Sequence, residues 1–254
     1  MLDLANPRHR ELFFKVHQDL PREAPGSVAI TLQALALTTT PTRAHVLDIG
    51  CGTGHHTLTL ASALPGAHVK GLDAHQPYLD VLKSGIDAKQ MNGRVEAVLG
   101  DMRAPPFPES TFDLLWCEAA VYVMGFERAA ARWRQLLKDG GYLALSDLVW
   151  LSNERPQQAI DYWASYPDMT TIPNRQTQIA SLGYTNIDAF VMPPSAWTDE
   201  YYDPMQARID MLKRAHPGDA EALAVLDASG EEIRVFESSA GSYGYAFFVA
   251  RRLD

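Results

Sequence analysis

The stretch "VLDIGCGTGHHT" (residues 46–57) passes from an apolar run through three alternating glycines into a pair of histidines. This order predicts a strand, a tight turn and the start of a helix. A turn of this kind leaves the first N–H groups of the helix pointing at whatever lies above the strand end. Gly50, Gly52 and Gly54 carry no side chains, so a ligand can approach the backbone closely; a tight turn holding nothing is the alternative. The spacing is G-x-G-x-G with His55 at the sixth position, whereas a dinucleotide loop needs G-x-G-x-x-G. Asp48 stands two residues before the first glycine. A carboxylate there repels a pyrophosphate and attracts a ligand bearing an amino group and a sulfonium.

Working outward, short apolar runs alternate with helical segments from residue 45 onward, the pattern of βαβ units and a parallel sheet. "HVLDIG", "HVKGLD", "RVEAVLGD", "TFDLLWCEAA" and "YLALSDLVW" are predicted strands. "GHHTLTLASAL", "HQPYLDVLKSGIDAKQ" and "FERAAARWRQLLKDGG" are predicted helices, the last ended by paired glycines. Residues 150–175 concentrate aromatic side chains among polar and proline positions with no strand between them, which predicts a helical insertion. "RQTQIASLGY" is a short helix and "NIDAFVMP" a sixth strand. Residues 199–238 hold two or more helices, the last with Ser229 as its N-cap, and "YGYAFFVARR" closes as a strand. Residues 8–37 form two helices around the turn "PREAPGS", which either pack on a sheet edge or fold over the ligand.

The 254 residues, 46% hydrophobic and 21% charged, suit a globular protein of one elaborated domain. A net charge of −9 without a basic cluster argues against nucleic acid. No stretch reads as a signal peptide or membrane span. The two cysteines, Cys51 and Cys117, lie within apolar or glycine-rich segments, which predicts reduced thiols and a cytoplasmic protein.

"VLDIGCGTG" resembles the first signature of the class I S-adenosylmethionine-dependent methyltransferases, and later motifs agree in order and spacing over residues 43–148. The resemblance is closest to small bacterial enzymes that act on metabolites. It implies an α/β, Rossmann-like, seven-stranded, mostly parallel sheet, with the last strand antiparallel and inserted beside the fifth. It also implies S-adenosyl-L-methionine as cofactor and S-adenosyl-L-homocysteine as product. Asp73 in "VKGLDAHQPYLD" holds the position that binds the ribose hydroxyls. Asp101 in "LGDM" holds the position that accepts from the adenine amino group, with Met102 packing on the purine. Cofactor contacts are further implied for Asp48, Gly50, Cys51, Gly52, Gly54, Ala74 and Cys117. Residues 1–40 become a helical segment covering the cofactor site. Residues 41–254 become the methyltransferase domain, with lid elaborations at 150–175 and 195–240.

Methyl transfer from a sulfonium is an in-line displacement that alignment and water exclusion accelerate, so a base is needed only for a protonated nucleophile. Glu118, at the end of the fourth strand, either orients the acceptor or accepts its proton, or is simply a partly solvated carboxylate. Tyr122 follows in the same loop as a second catalytic and substrate-binding candidate. Asp147 ends the fifth strand and could face the same cleft, but with no third acidic partner a metal is not expected. Trp150, Trp163, Trp197 and Tyr201 are candidates for an acceptor pocket, with a packed core as the alternative. His55 and His56 point about 100° apart on a helix and cannot chelate one metal, so they are expected to begin that helix. The function expected is methyl transfer to oxygen, nitrogen or carbon of a small molecule by a monomer or homodimer. The alternative is a non-catalytic domain that senses the cofactor or its product; a nicotinamide oxidoreductase is disfavoured by the loop spacing and Asp48.

Overall fold

The computed structural model describes residues 3, 5–18, 20–239 and 241–253; the outer limits of the 1–40 and 41–254 segments therefore fall outside the described residues. In chain order the elements are α1 (Pro7–His17), α2 (Val28–Ala36), β1 (His45–Ile49), α3 (His55–Ala63), β2 (His68–Asp73), α4 (Gln76–Ala88), β3 (Val95–Leu99) and β4 (Phe112–Cys117). They continue with α5 (Phe126–Arg134), β5 (Leu137–Trp150), α6 (Gln157–Tyr162), β6 (Thr170–Thr171), α7 (Ile172–Ser181) and β7 (Tyr184–Val191). The last are α8 (Ser195–Trp197), α9 (Asp203–Ala215), α10 (Ala220–Ser229), α11 (Glu231–Ser238) and β8 (Tyr243–Arg252).

The chain forms two compact units. The larger spans Gly26–Leu151, Asp168–Met192 and the chain from Gly244 onward, and it contains the sheet, in the order β3-β2-β1-β4-β5-β8-β7. The pairs β1–β2, β1–β4, β2–β3 and β4–β5 are parallel, and β8 lies between β5 and β7, antiparallel to β7. This is the strand order that the resemblance implies, with the short β6 added as an eighth strand. β1 and β4 read as apolar runs because helices cover both faces of a parallel sheet. Leu47, Ile49, Leu115, Phe126, Trp133, Leu143 and Leu145 meet in the core. From β1 the order runs outward to β2 and β3 on one side and to β4 and β5 on the other. The loops after β1 and β4 therefore diverge and leave a crevice at the strand ends, where open α/β sheets bind ligands.

Three local predictions need correction. The helix expected through "LKDGG" stops at Arg134, and β5 begins at Leu137. The paired glycines lie in a bulge where the register jumps from Phe112↔Leu137 to Leu114↔Tyr142. Gly140 has φ +72°, and a Cβ on Gly141 would stand 3.0 Å from the Lys138 carbonyl oxygen. Within 150–175 the two-residue β6 pairs with the end of β5. Ser229 does not cap α11: it ends α10 and its hydroxyl donates to the Val225 carbonyl at 3.0 Å, while Gly230 joins the two helices.

The smaller unit takes in residues up to Pro25, Ser152–Pro167 and Pro193–Tyr243. It combines most of the two stretches expected as lid with α1, so the unit boundary passes between α1 and α2. Within it α1 packs on α9 and α10 through Leu12, Ala222 and Val225. Arg8 binds Asp219 and Glu221, and the buried Arg22 pairs with Glu200 at 2.7 Å. Its aromatic side chains converge. Trp197 stacks on Phe236 at 4.7 Å between ring centroids, with Tyr202 at 5.5 Å and Tyr243 at 6.0 Å. The Tyr202 hydroxyl donates to Glu232 at 2.7 Å. Burial, and then the Glu232 charge, push that hydroxyl above the usual tyrosine range; burial likewise pushes the Glu232 carboxyl up.

Candidate functional site

Four strand ends of the larger unit bring the predicted residues to one place. After β1 the chain turns through Gly50, Gly52 and Gly54, all at positive φ, and enters α3 without a side-chain cap. The glycines serve different ends. A Cβ on Gly50 would meet Ala120 at 2.6 Å and Met102 at 3.1 Å, and one on Gly54 would meet Leu82 at 2.3 Å, so both are required by packing. A Cβ on Gly52 would meet nothing within 4 Å, which makes it the glycine that opens onto free space. Met102 thereby joins the β3 loop to the glycine turn, and the Trp133 indole holds its carbonyl at 2.9 Å.

Asp73 ends β2 beside this turn. One carboxylate oxygen accepts from the Gly52 N–H at 2.9 Å and the other from the His75 N–H at 2.8 Å. Each oxygen keeps a second lone pair, so the group is held in place and can still accept two hydroxyl donors. Ala74 is exposed next to it. Asp101 is exposed on the rim and accepts from the Arg103 N–H at 2.8 Å. Together these groups fit a nucleoside: backbone laid bare at Gly52, a bidentate acceptor at Asp73, and an acceptor with an apolar neighbour at Asp101 and Met102.

Asp48 is fully buried. Its Oδ2 accepts from the Thr57 hydroxyl at 2.6 Å, and its Oδ1 has no hydrogen-bond partner. Burial pushes its carboxyl up to about 7; the Thr57 bond opposes that rise, and the charges of Glu118 and Asp73 add to it. Cys51 and Cys117 are both buried, and burial drives their thiols well above the ordinary cysteine range, so they stand as neutral walls.

Glu118 follows β4 with a buried side chain. Its Oε1 accepts from the Thr31 hydroxyl at 2.7 Å and the Trp116 indole at 2.9 Å, and its Oε2 lies 3.2 Å from His56 Nε2. The His56 side chain, at 15% exposure, is the member of this cluster that reaches the surface. His56 and Thr31 are the site residues that sequence reasoning missed. A histidine at a helix start and a threonine on an N-terminal helix carry no signal of a partner far along the chain. Their appearance beside Glu118 is a product of α2 packing on α3.

The other candidates have different surroundings. Tyr122 is 59% exposed on the turn after β4. Trp150 is buried at the end of β5. Trp163, Trp197 and Tyr201 belong to the aromatic cluster of the smaller unit, where Trp163 lies 5.5 Å from Tyr243 and Tyr201 stacks on Tyr202 at 5.1 Å. Asp147, expected as a possible companion of Glu118, is instead sealed against Arg175 at 2.8 Å. The Arg175 guanidinium in turn lies 4.4 Å from the centre of the Phe126 ring. Among the described residues no cluster of three or more metal-ligating side chains occurs.

The family model described as "Methyltransferase domain" matches residues 46–141. Over those residues the chain is similar to that domain. The matched segment runs from the glycine turn through Asp73, Asp101 and Glu118 to the bulge of β5. An O-methyltransferase of Penicillium expansum, cnsE, is 29% identical over 150 residues, or 57% of this chain and 53% of that one. The malonyl-[acyl-carrier protein] O-methyltransferase of Methylococcus capsulatus is 26% identical over 83% of this chain and 69% of its own length. Other curated relatives are matched over about half of their length or less. Among solved structures, the SAM-dependent methyltransferase from Thiobacillus denitrificans in complex with S-adenosyl-L-homocysteine superposes with a TM-score of 0.80. It is 20% identical, and the match covers 94% of this chain and 97% of that one. The chain thus shares the fold of that structure, with its glycine turn at the switch point between β1 and β4.

Proposed function

We propose that this protein transfers the methyl group of S-adenosylmethionine to a small-molecule acceptor and releases S-adenosylhomocysteine. The observation that carries the reading is the pairing of an open Gly52 with an Asp73 carboxylate pinned by two backbone N–H groups. Asp73 takes the ribose hydroxyls, Asp101 the adenine amino group and Met102 the purine face. Cys51, Ala74 and Cys117 supply backbone and neutral walls. When bound, the cofactor supplies a methyl carbon made electrophilic by its sulfonium. That carbon would be open to in-line displacement by an acceptor lone pair, with the sulfur as leaving group. Glu118, paired with His56, orients the acceptor or takes its proton when the nucleophile arrives protonated.

Tyr122 is proposed to line the acceptor side of the β4 turn. Trp150, Trp163, Trp197 and Tyr201 are candidate acceptor contacts, with packing as their established role. The excess of negative charge supports a small-molecule partner over nucleic acid. No helix among the described residues is long and apolar enough to cross a membrane, which together with two free thiols supports a cytoplasmic site of action.

Thermal unfolding with S-adenosylmethionine, S-adenosylhomocysteine or NAD tests the cofactor. The first two are expected to raise the melting temperature in proportion to ln(1 + [L]/Kd), and NAD to leave it unchanged. Release of S-adenosylhomocysteine against a panel of hydroxyl, amine and carboxylate metabolites tests the activity. Stabilisation by NAD alone overturns the assignment.

A further inference from the structure

Buried carboxylates are normally paired with a cation or fully hydrogen-bonded. Asp48 is neither: it has no exposed surface, its Oδ1 lacks a partner, and among the described residues it makes no ion pair. It is also crowded by like charge. Glu118 at the end of β4 and Asp73 at the end of β2 both bear on it, and both have organised partners of their own. The remaining titratable groups do not relieve it. The Cys51 and Cys117 thiols are held neutral by burial, and His56 on α3 is turned to Glu118. Thr57 and Thr31, from α3 and α2, bring hydroxyls without charge. Burial and like charge favour the protonated form of a carboxyl so placed, and a nearby positive charge favours the ionised one.

The two forms of the proposed cofactor differ by one such charge. S-Adenosylmethionine and its product share the adenosine, amino and carboxylate groups, and only the former carries a sulfonium. Resting on the cofactor reading above, we propose that Asp48 sets the preference of this site for the sulfonium form over the neutral thioether, its carboxyl releasing a proton as the cation binds. The carboxylate formed then opposes the sulfonium charge. After methyl transfer removes that charge, the carboxylate takes up a proton again and the product is held less tightly. Linkage makes the effect reciprocal: whatever ionises Asp48 favours the cation, and the cation favours ionised Asp48. The midpoint of about 7 for the ligand-free carboxyl puts the exchange near neutrality.

Titration calorimetry of the full chain with each ligand, in phosphate and in Tris at pH 7, counts the protons released. S-Adenosylmethionine is expected to release up to about half a proton more than S-adenosylhomocysteine. Its affinity advantage over the product should grow roughly five- to tenfold between pH 6 and pH 7.5, the span over which one carboxyl near 7 loses its proton. Asp48→Asn should abolish the difference in protons and flatten the ratio. Thr57→Val keeps Asp48 but removes the bond that favours its charged form, so the midpoint of the ratio should move to higher pH; this variant serves if Asp48→Asn does not fold. Equal proton counts for the two ligands, or a release that persists in Asp48→Asn, would overturn the proposal. Absence of binding by either ligand to folded wild-type protein overturns the cofactor reading itself, and is recognised by the lack of any heat.

Discussion

At the scale of single residues, Asp73 shows how one side chain serves structure and ligand together. Its two oxygens fasten the Gly52 and His75 N–H groups beside the glycine turn, and each keeps a lone pair for a further donor. Asp73→Ala removes a charge-assisted bidentate acceptor and is expected to weaken S-adenosylmethionine binding by more than about tenfold, measured by calorimetry. Asp73→Asn should fail as well, for a geometric reason. Its amide nitrogen would have to face either Gly52 N–H or His75 N–H, setting donor against donor. Retention of wild-type affinity in Asp73→Asn would show that the ribose is held elsewhere. Glu118 teaches the opposite lesson. It stands where the sequence places an acceptor contact, yet Thr31, Trp116 and His56 occupy its oxygens. Of these partners, pattern alone marks His56 only as the start of a helix.

At the scale of elements, legibility followed the local signals. β1 and β4 were readable because a buried parallel strand is a short apolar run, and β2 and the edge strand β3 because each falls between a helical segment and a turn signal. Asp48, Gly50, Gly52, Gly54 and Asp73 were readable because their places are fixed by strand ends. The "LKDGG" segment was not, because a glycine pair after lysine and aspartate ends a helix as readily as it forms a bulge. Only the pairing of Leu137 with Phe112 decides between them. Asp147 and Arg175 were illegible as a pair, since one lies within β5 and the other in α7. Both are almost fully buried, and Arg175 also donates to the Asp168 carbonyl at 2.8 Å and to Gln178 at 3.0 Å. Arg175→Ala leaves a buried carboxylate uncompensated and should cost about 3–5 kcal/mol in urea unfolding. Replacing both partners together, Asp147→Leu with Arg175→Met, should cost much less, because no charge is then stranded. A double variant as unstable as the single one would assign the loss to packing of α7 over Phe126.

At the scale of the whole molecule, each compact unit holds a buried carboxyl pushed above its ordinary range, Asp48 in one and Glu232 in the other. In both the first cause is burial, which penalises the charged form. The sign follows from proton binding. Between the unfolded value near 4 and the folded value near 7, native Asp48 binds more protons than the unfolded chain, so its contribution to stability falls as pH rises. Above about 7 the loss is complete, and it is on the order of a few kcal/mol. Glu232 acts in the same direction over the range above its unfolded value. The carboxylates shifted downward do not offset this. Asp219, held by the Ala222 N–H and Arg8, Asp227 by Lys213 and Glu11 by Lys15 all lie at the surface, where solvent screens them. Unfolding free energy measured in urea is therefore expected to be higher at pH 5.5 than at pH 8. Asp48→Asn with Glu232→Gln should flatten the profile and raise stability at pH 8, since neither amide ionises. Stability that rises steadily from pH 5.5 to pH 8 in the wild type would mean that both carboxyls are charged in the folded protein, with solvent or a cation reaching them.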